Sequence, residues 1–259
     1  MVSALRIDLN ADVGESFGTF VGQEDEALLA LVTTAHVACG FHAGDPATMR
    51  ATVRTALAHD VAIGAHPSYP DLVGFGRRAM DVAPARVADD VLYQLGALEG
   101  IARSLGGRVS TVKPHGALYH RVGWDEPCAA ALIGAVRDHG GLAVVLPAGS
   151  PALDVAASLG VPALAEAFCD RGYRQDGTLA DRSEPGGVLT DPAEAARRAV
   201  SLVVDHMVTA LDGSELWMEV DTLCIHGDTP GARVLGVAVR RALEEAGVGL
   251  AAPVQIAEG

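Results

Sequence analysis

Lys113 is the only lysine in a chain whose nineteen Lys and Arg residues are otherwise all arginine, and it lies in TVKPHGALYH, two residues before His115. An ammonium is compact and can give up its proton, whereas a guanidinium cannot, so a lone lysine among arginines points to work that arginine would not do. It ends an apolar run beside Pro114, where a charge needs a partner such as Asp12 or Glu166. Similar residues recur at the ends of other β-rich runs: Asp8, Asn10 and Asp12 in DLNAD, His42 and Asp45 in CGFHAGDP, His66 in GAHPSYPDL, Glu166 and Asp170 in EAFCDRGY, and His226 and Asp228 in CIHGD. Carboxylates, imidazoles and one ammonium suit proton transfer, water activation or metal ligation.

The elements that must position them are read from periodicity. Seven strand candidates occur, at the start (LRIDLNAD) and at residues 33–39, 61–67, 108–114, 142–147, 162–168 and 222–227. Helical spacing separates them, as in Val87, Val91, Leu95, Leu98, Ala102 and Leu105. Prolines that follow a capping residue mark helix starts: Asp45 before Pro46, Ser150 before Pro151, Asp191 before Pro192 and Thr229 before Pro230, with Pro84 and Pro127 opening two more. Alternating strand and helix imply a parallel α/β sheet, closed as a barrel or open and doubly wound. In a barrel the C-terminal strand ends converge on one face, which would gather the polar residues in one cleft. In DLNAD the period of two puts Asp8, Asn10 and Asp12 on one side and Leu5, Ile7 and Leu9 on the other. The row suits a general base, a metal ligand or a lysine partner; a polar plug closing the barrel is the alternative. Two connections, residues 67–83 and 170–190, exceed a compact turn and read as lids. Arg77, Arg78 and Arg171, which lie in them, are candidates to clamp a carboxylate or phosphate.

The 259 residues fit a single domain spanning 1–259, and no low-complexity linker divides them. A formal net charge of −14 opposes nucleic acid and anionic membrane as partners. No apolar run is long enough to span a bilayer, and the N-terminus lacks the basic start and apolar stretch of a secretory signal, so a cytoplasmic location is expected. Four scattered cysteines without a CxxC pair read as free thiols. Three motifs fail on context. GFGRRA at 74–79 does not join a first strand to a helix, DLNADVGES has Thr19 where an EF-hand needs its bidentate Glu, and Val112 precedes the only lysine where a Walker A loop needs Gly.

The stretches DLNADVGESFG, ACGFHAGDP, IGAHPSYPDLVGFGRR, VKPHGALYH, EAFCDRGYRQDGTL and CIHGD closely resemble, in the same order, the motifs of the LamB/YcsF family of 5-oxoprolinase A subunits. The resemblance runs from Asp8 to beyond Asp228. It implies a seven-stranded, parallel TIM-like (β/α) barrel of the glycoside hydrolase/deacetylase type. It also implies ATP-dependent opening of the lactam ring of 5-oxo-L-proline to L-glutamate, together with partner subunits B and C. His36 stands where the family usually has Asn, Cys169 where it has Ala, and His120 where it has Asn.

An unactivated amide resists water, and phosphorylating its oxygen with ATP, accompanied by Mg²⁺, would make that oxygen a leaving group. For this chemistry the expected catalytic set is Asp12 or His66 as base for water, Lys113 as cation at the phosphoryl or lactam oxygen, His115 as proton donor to the ring nitrogen, and Glu166 and Asp170 as orienting carboxylates. Asn10, His42, Arg77, Arg171, His226 and Asp228 are the expected substrate-binding set. No metal is expected in the chain itself; were one held, Asp12, His42 and His66 would supply ligands. Two rival readings are a divalent-metal-dependent amidohydrolase or deacetylase and a non-catalytic subunit of a larger enzyme.

Overall fold

A computed structural model describes residues 5–18, 25–227 and 231–253. All seven expected strands form: β1 (Arg6–Val13), β2 (Thr34–Ala38), β3 (Ala62–His66), β4 (Val109–Val112), β5 (Ala143–Pro147), β6 (Ala163–Phe168) and, after a β7/β8 hairpin (Met207–Thr209 and Glu215–Trp217), β9 (Thr222–His226). The barrel strands run parallel in the order β1-β2-β3-β4-β5-β6-β9, and β9 pairs back onto β1 with Asp8 opposite Thr222 and Asp12 opposite His226. That pairing closes a seven-stranded parallel barrel, which decides between the two architectures left open by alternation alone. The short β10 (Gly249–Leu250) adds beside the start of β1.

Helices α1 (Asp25–Leu29), α2 (Pro46–Ala58), α3 (Pro84–Ser104), α4 (Gly116–Trp124), α5 (Glu126–His139), α6 (Ala152–Ser158), α7 (Pro192–Val200) and α8 (Ala232–Glu245) occupy the connections. The cap at Asp45 is as expected: its Oδ1 accepts from the amides of Ala47 (2.9 Å) and Thr48 (3.1 Å). Asp191 caps α7 in the same way, and Pro127 lies in the first turn of α5, which Asp125 caps. Ser150 makes no side-chain cap on α6. Thr229 and Pro230 lie outside the described residues. Among the described residues no helix is long and apolar enough to cross a membrane.

The apolar core lies between barrel and helices, where Ile7, Leu9, Ala11 and Val13 of β1 meet Leu28, Val53, Leu235 and their neighbours. A larger (β/α) barrel typically fills its interior with Val, Ile and Leu. Here the inward positions carry Asp8, Asn10, Asp12, Thr34, His36, His66, Thr111, Glu166, Thr222, Cys224 and His226, all buried. Buried polar groups persist only when paired, so this interior must be a connected network.

Candidate active site

The network is layered along the barrel axis. At the bottom Asp8 accepts hydrogen bonds from the hydroxyls of Thr33 (2.7 Å), Thr34 (2.7 Å) and Thr222 (2.5 Å). Burial outweighs these bonds and pushes its carboxyl up to about 6. The folded protein therefore keeps a proton that the unfolded chain releases near its usual 3.8. Stability from this group is present below 3.8, falls as pH rises through 6, and amounts to about 3 kcal/mol in total. Denaturation of the wild type and Asp8→Asn across this window should show that loss in the wild type alone.

In the middle layer Asn10 donates to Glu166 Oε1 (2.9 Å) and Thr222 Oγ1 (2.7 Å), while His36 reaches Asn10 Oδ1 and Thr111 Oγ1, each at 3.2 Å. Lys113 enters from the end of β4, only 2% exposed. Its Nζ lies 2.7 Å from Glu166 Oε1 and 3.0 Å from Asp12 Oδ1, and it donates to Asn10 Oδ1 (3.2 Å) and Cys224 Sγ (3.1 Å). Burial opposes the ammonium, but the carboxylates around it raise its pKa well above the ordinary lysine value. Burial likewise opposes ionisation of Asp12, yet His66 and Lys113 hold its carboxyl well below the usual range. The ion pair is thus charged, and Lys113 has more acceptors than protons. In this arrangement it is the counter-ion of Asp12 and Glu166 at the cavity floor.

The top layer is built by strand ends and turns. Gly14, at a φ of 71°, turns the chain after β1 so that Glu15 returns over the barrel mouth. Its Oε1 lies 3.0 Å from His42 Nε2 and 3.3 Å from His115 Nδ1. His66 Nε2 lies 3.4 Å from Asp12 Oδ2 and 3.0 Å from His115 Nδ1. His42 stacks on His115 with centroids 3.8 Å apart. Burial lowers the pKa of both His42 and His115 well below the ordinary imidazole value; burial acts on His66 too, but Asp12 outweighs it and raises the pKa. Gly116, at φ 55°, follows His115 where a Cβ would stand 2.6 Å from Gly76 O, so only glycine lets the 67–83 loop close on this turn.

On the opposite side Asp170 accepts from His226 Nδ1 at 2.9 Å, which leaves Nε2 as the nitrogen available to the cavity. Burial would raise the Asp170 carboxyl, but His226 and Arg182 pull it below the usual range. His115, expected as proton donor to substrate, instead has Nε2 committed to Phe75 O (2.8 Å) and Nδ1 turned to His66.

A cavity of about 830 Å³ opens above, lined by Asp12, Glu15, His66, Lys113, His115 and His226 on the floor and by both long loops at the rim. The expected residues Asp12, His66, Lys113, His115, Arg77, Arg171 and His226 all border it. Glu166 and Asn10 lie beneath, and His42 stands behind His115. Arg171 is buried, donating to Gly187 O (2.9 Å) and Ala180 O (2.6 Å), so its first task is to hold the 170–190 loop rather than to clamp a ligand. Asp228 lies outside the described residues. Arg174 and Arg182 at the rim and Glu15 on the floor were not singled out from sequence. The signal for Glu15 was the VGES turn directly after the acidic strand. His120 is exposed and borders the cavity. Among the described residues the potential ligand groups are Glu15, His42, His66 and His115, and separately Asp12, Cys224 and His226. The anticipated trio of Asp12, His42 and His66 is split between them.

The LamB/YcsF family model matches residues 7–258. The chain belongs to the LamB/YcsF family. This LamB/YcsF member is 54% identical over 243 residues to the A subunit of 5-oxoprolinase from Streptomyces griseus, covering 93% of this chain and 97% of that protein. It superposes on the lactam utilization protein of Thermus thermophilus with a TM-score of 0.91 and 47% identity, over 96% of this chain and 100% of the other. A more distant superposition, TM-score 0.55 at 12% identity, is on T48 deacetylase, over 99% of this chain and 92% of that one. It establishes likeness of fold for the LamB/YcsF barrel, and nothing about chemistry.

Proposed function

We propose that this chain carries the ring-opening site of an ATP-dependent 5-oxoprolinase, working in the cytoplasm with partner subunits of the B and C type. The observation that carries the reading is the charged Asp12–Lys113 pair on the floor of an arginine-rimmed cavity, in a chain closely similar to proteins named for this activity. ATP with Mg²⁺ phosphorylates the lactam oxygen. This chain has no Walker A loop, so in this reading the partners hold the nucleotide. The rim arginines Arg77, Arg174 and Arg182 supply counter-charge for the substrate carboxylate and the phosphoryl group.

Asp12, kept ionised by His66 and Lys113, accepts the proton of the water that attacks the activated carbon. His226, its Nδ1 held by Asp170, gives a proton from Nε2 to the ring nitrogen as the C–N bond breaks. A second water releases phosphate and leaves L-glutamate. The test is glutamate formation from 5-oxo-L-proline and ATP by the purified chain with and without its partner subunits. Glutamate should require this chain, and Asp12→Asn should lower its rate by about 10²- to 10⁴-fold with folding intact. A variant complex running at the wild-type rate would leave the chain a scaffold.

A further inference from the structure

His66 and His115 meet in a way that two neutral imidazoles would not choose. The Nδ1 of His66 lies 2.8 Å from Lys113 O, and the Nε2 of His115 lies 2.8 Å from Phe75 O. A carbonyl oxygen only accepts, so both of those nitrogens carry hydrogen. Were both rings neutral, each ring's other nitrogen would present a lone pair, and these two nitrogens face one another at 3.0 Å across perpendicular rings. Glu15 Oε1 stands 3.3 Å from His115 Nδ1 and 3.9 Å from His66 Nε2, and Asp12 Oδ2 is 3.4 Å from His66 Nε2. Two lone pairs and two carboxylate oxygens around one point require a cation there, either a shared proton or a metal ion.

We infer that this point is a binding site for one divalent cation of the zinc, cobalt or nickel class, held by His66 Nε2, His115 Nδ1 and Glu15, with Asp12 beside it. Mixed imidazole and carboxylate donors suit such borderline ions. Each histidine has its far N–H fixed by a backbone carbonyl, the arrangement that orients metal-ligating imidazoles and sets their tautomer. All four residues border the cavity, so a coordination position is left for water or a substrate oxygen. His42 is excluded as a third imidazole ligand by its parallel stack on His115, 4° between planes: its in-plane lone pair cannot point at the ion shared by the other two. With Nε2 3.0 Å from Glu15, His42 is a positioning residue for that carboxylate. The inference stands on geometry and goes beyond the ring-opening reading, since a protein that binds the ion yet makes no glutamate would sink only that reading.

The test uses the full chain stripped with chelator and titrated with Co²⁺, followed by visible absorption and by metal content after dialysis. One equivalent should bind and develop ligand-field bands. His115→Gln and His66→Gln should each weaken binding by at least about 100-fold, and His42→Ala by about 10- to 100-fold, as for a group behind a ligand. Cys224→Ser should leave binding unchanged, which separates this point from the Asp12, Cys224 and His226 group. Pulsed EPR of Cu²⁺ on the unaltered protein gives a second readout independent of variant folding, and it should show two coordinated imidazoles. Absence of stoichiometric binding, a spectrum without imidazole nitrogen, or loss of the site in Cys224→Ser but not in His115→Gln would overturn the inference.

Discussion

Lys113→Met is expected to cost about 3–5 kcal/mol of stability and to reduce ring opening by about 10²- to 10³-fold in whatever protein folds. The ammonium neutralises Asp12 and Glu166 at 3.0 and 2.7 Å inside a barrel where both carboxylates are buried. Methionine fills a similar volume and removes the charge, so two buried carboxylates are left facing each other across an apolar tail. Lys113→Arg should not restore the wild type. A planar guanidinium cannot sit among Asn10, Asp12, Glu166 and Cys224, whose donors and acceptors surround a compact ammonium. Denaturation of Lys113→Met beside Lys113→Met/Glu166→Gln checks the cause: removing one of the stranded charges should recover stability without recovering glutamate formation. If the double variant is no more stable than the single one, burial of unpaired charge is the wrong explanation.

The second large effect is expected from Gly64→Ala. A Cβ on Gly64 would stand 2.3 Å from His36 Cδ2 and 2.5 Å from Thr111 Oγ1, and both neighbours are fully buried. This glycine is needed for space, not for backbone freedom, because the imidazole of His36 occupies the volume its side chain would take. Overpacking and the strained bonds of His36 to Asn10 and Thr111 together should cost about 3–5 kcal/mol, or about 10 °C in Tm. Since Asn10 also receives Lys113, activity should fall with stability. His36→Asn shortens the intruding side chain, so the pair Gly64→Ala/His36→Asn should be less damaged than the sum of the two changes, with a coupling of about 1–3 kcal/mol. Strict additivity in a double-mutant cycle would show that the two positions do not share this space.

Much of the site was legible because strand periodicity is local. DLNAD places Asp8, Asn10 and Asp12 on one face whatever the barrel does next, and the capped proline helices announce where each strand must have ended. Lys113 stood out by composition, and its need of Asp12 and Glu166 followed from the cost of burying a charge. The β7/β8 hairpin was not anticipated, because its two strands of three residues are too short to give a periodic signal.

The amino-acid order by itself determined seven strands, the helices between them, and which strand face would be polar, because each depends on neighbours a few residues away. Whether the sheet closes depended on β9 pairing with β1 across more than two hundred residues, and only that register brings Glu166, Lys113 and Asp12 together. The same closure saturated the protons of Lys113, while the pairing of β6 with β9 gave Asp170 to His226 and that of β3 with β4 set His66 beside His115. Which atoms face which across a barrel is set by stagger and strand tilt, quantities that no single segment contains.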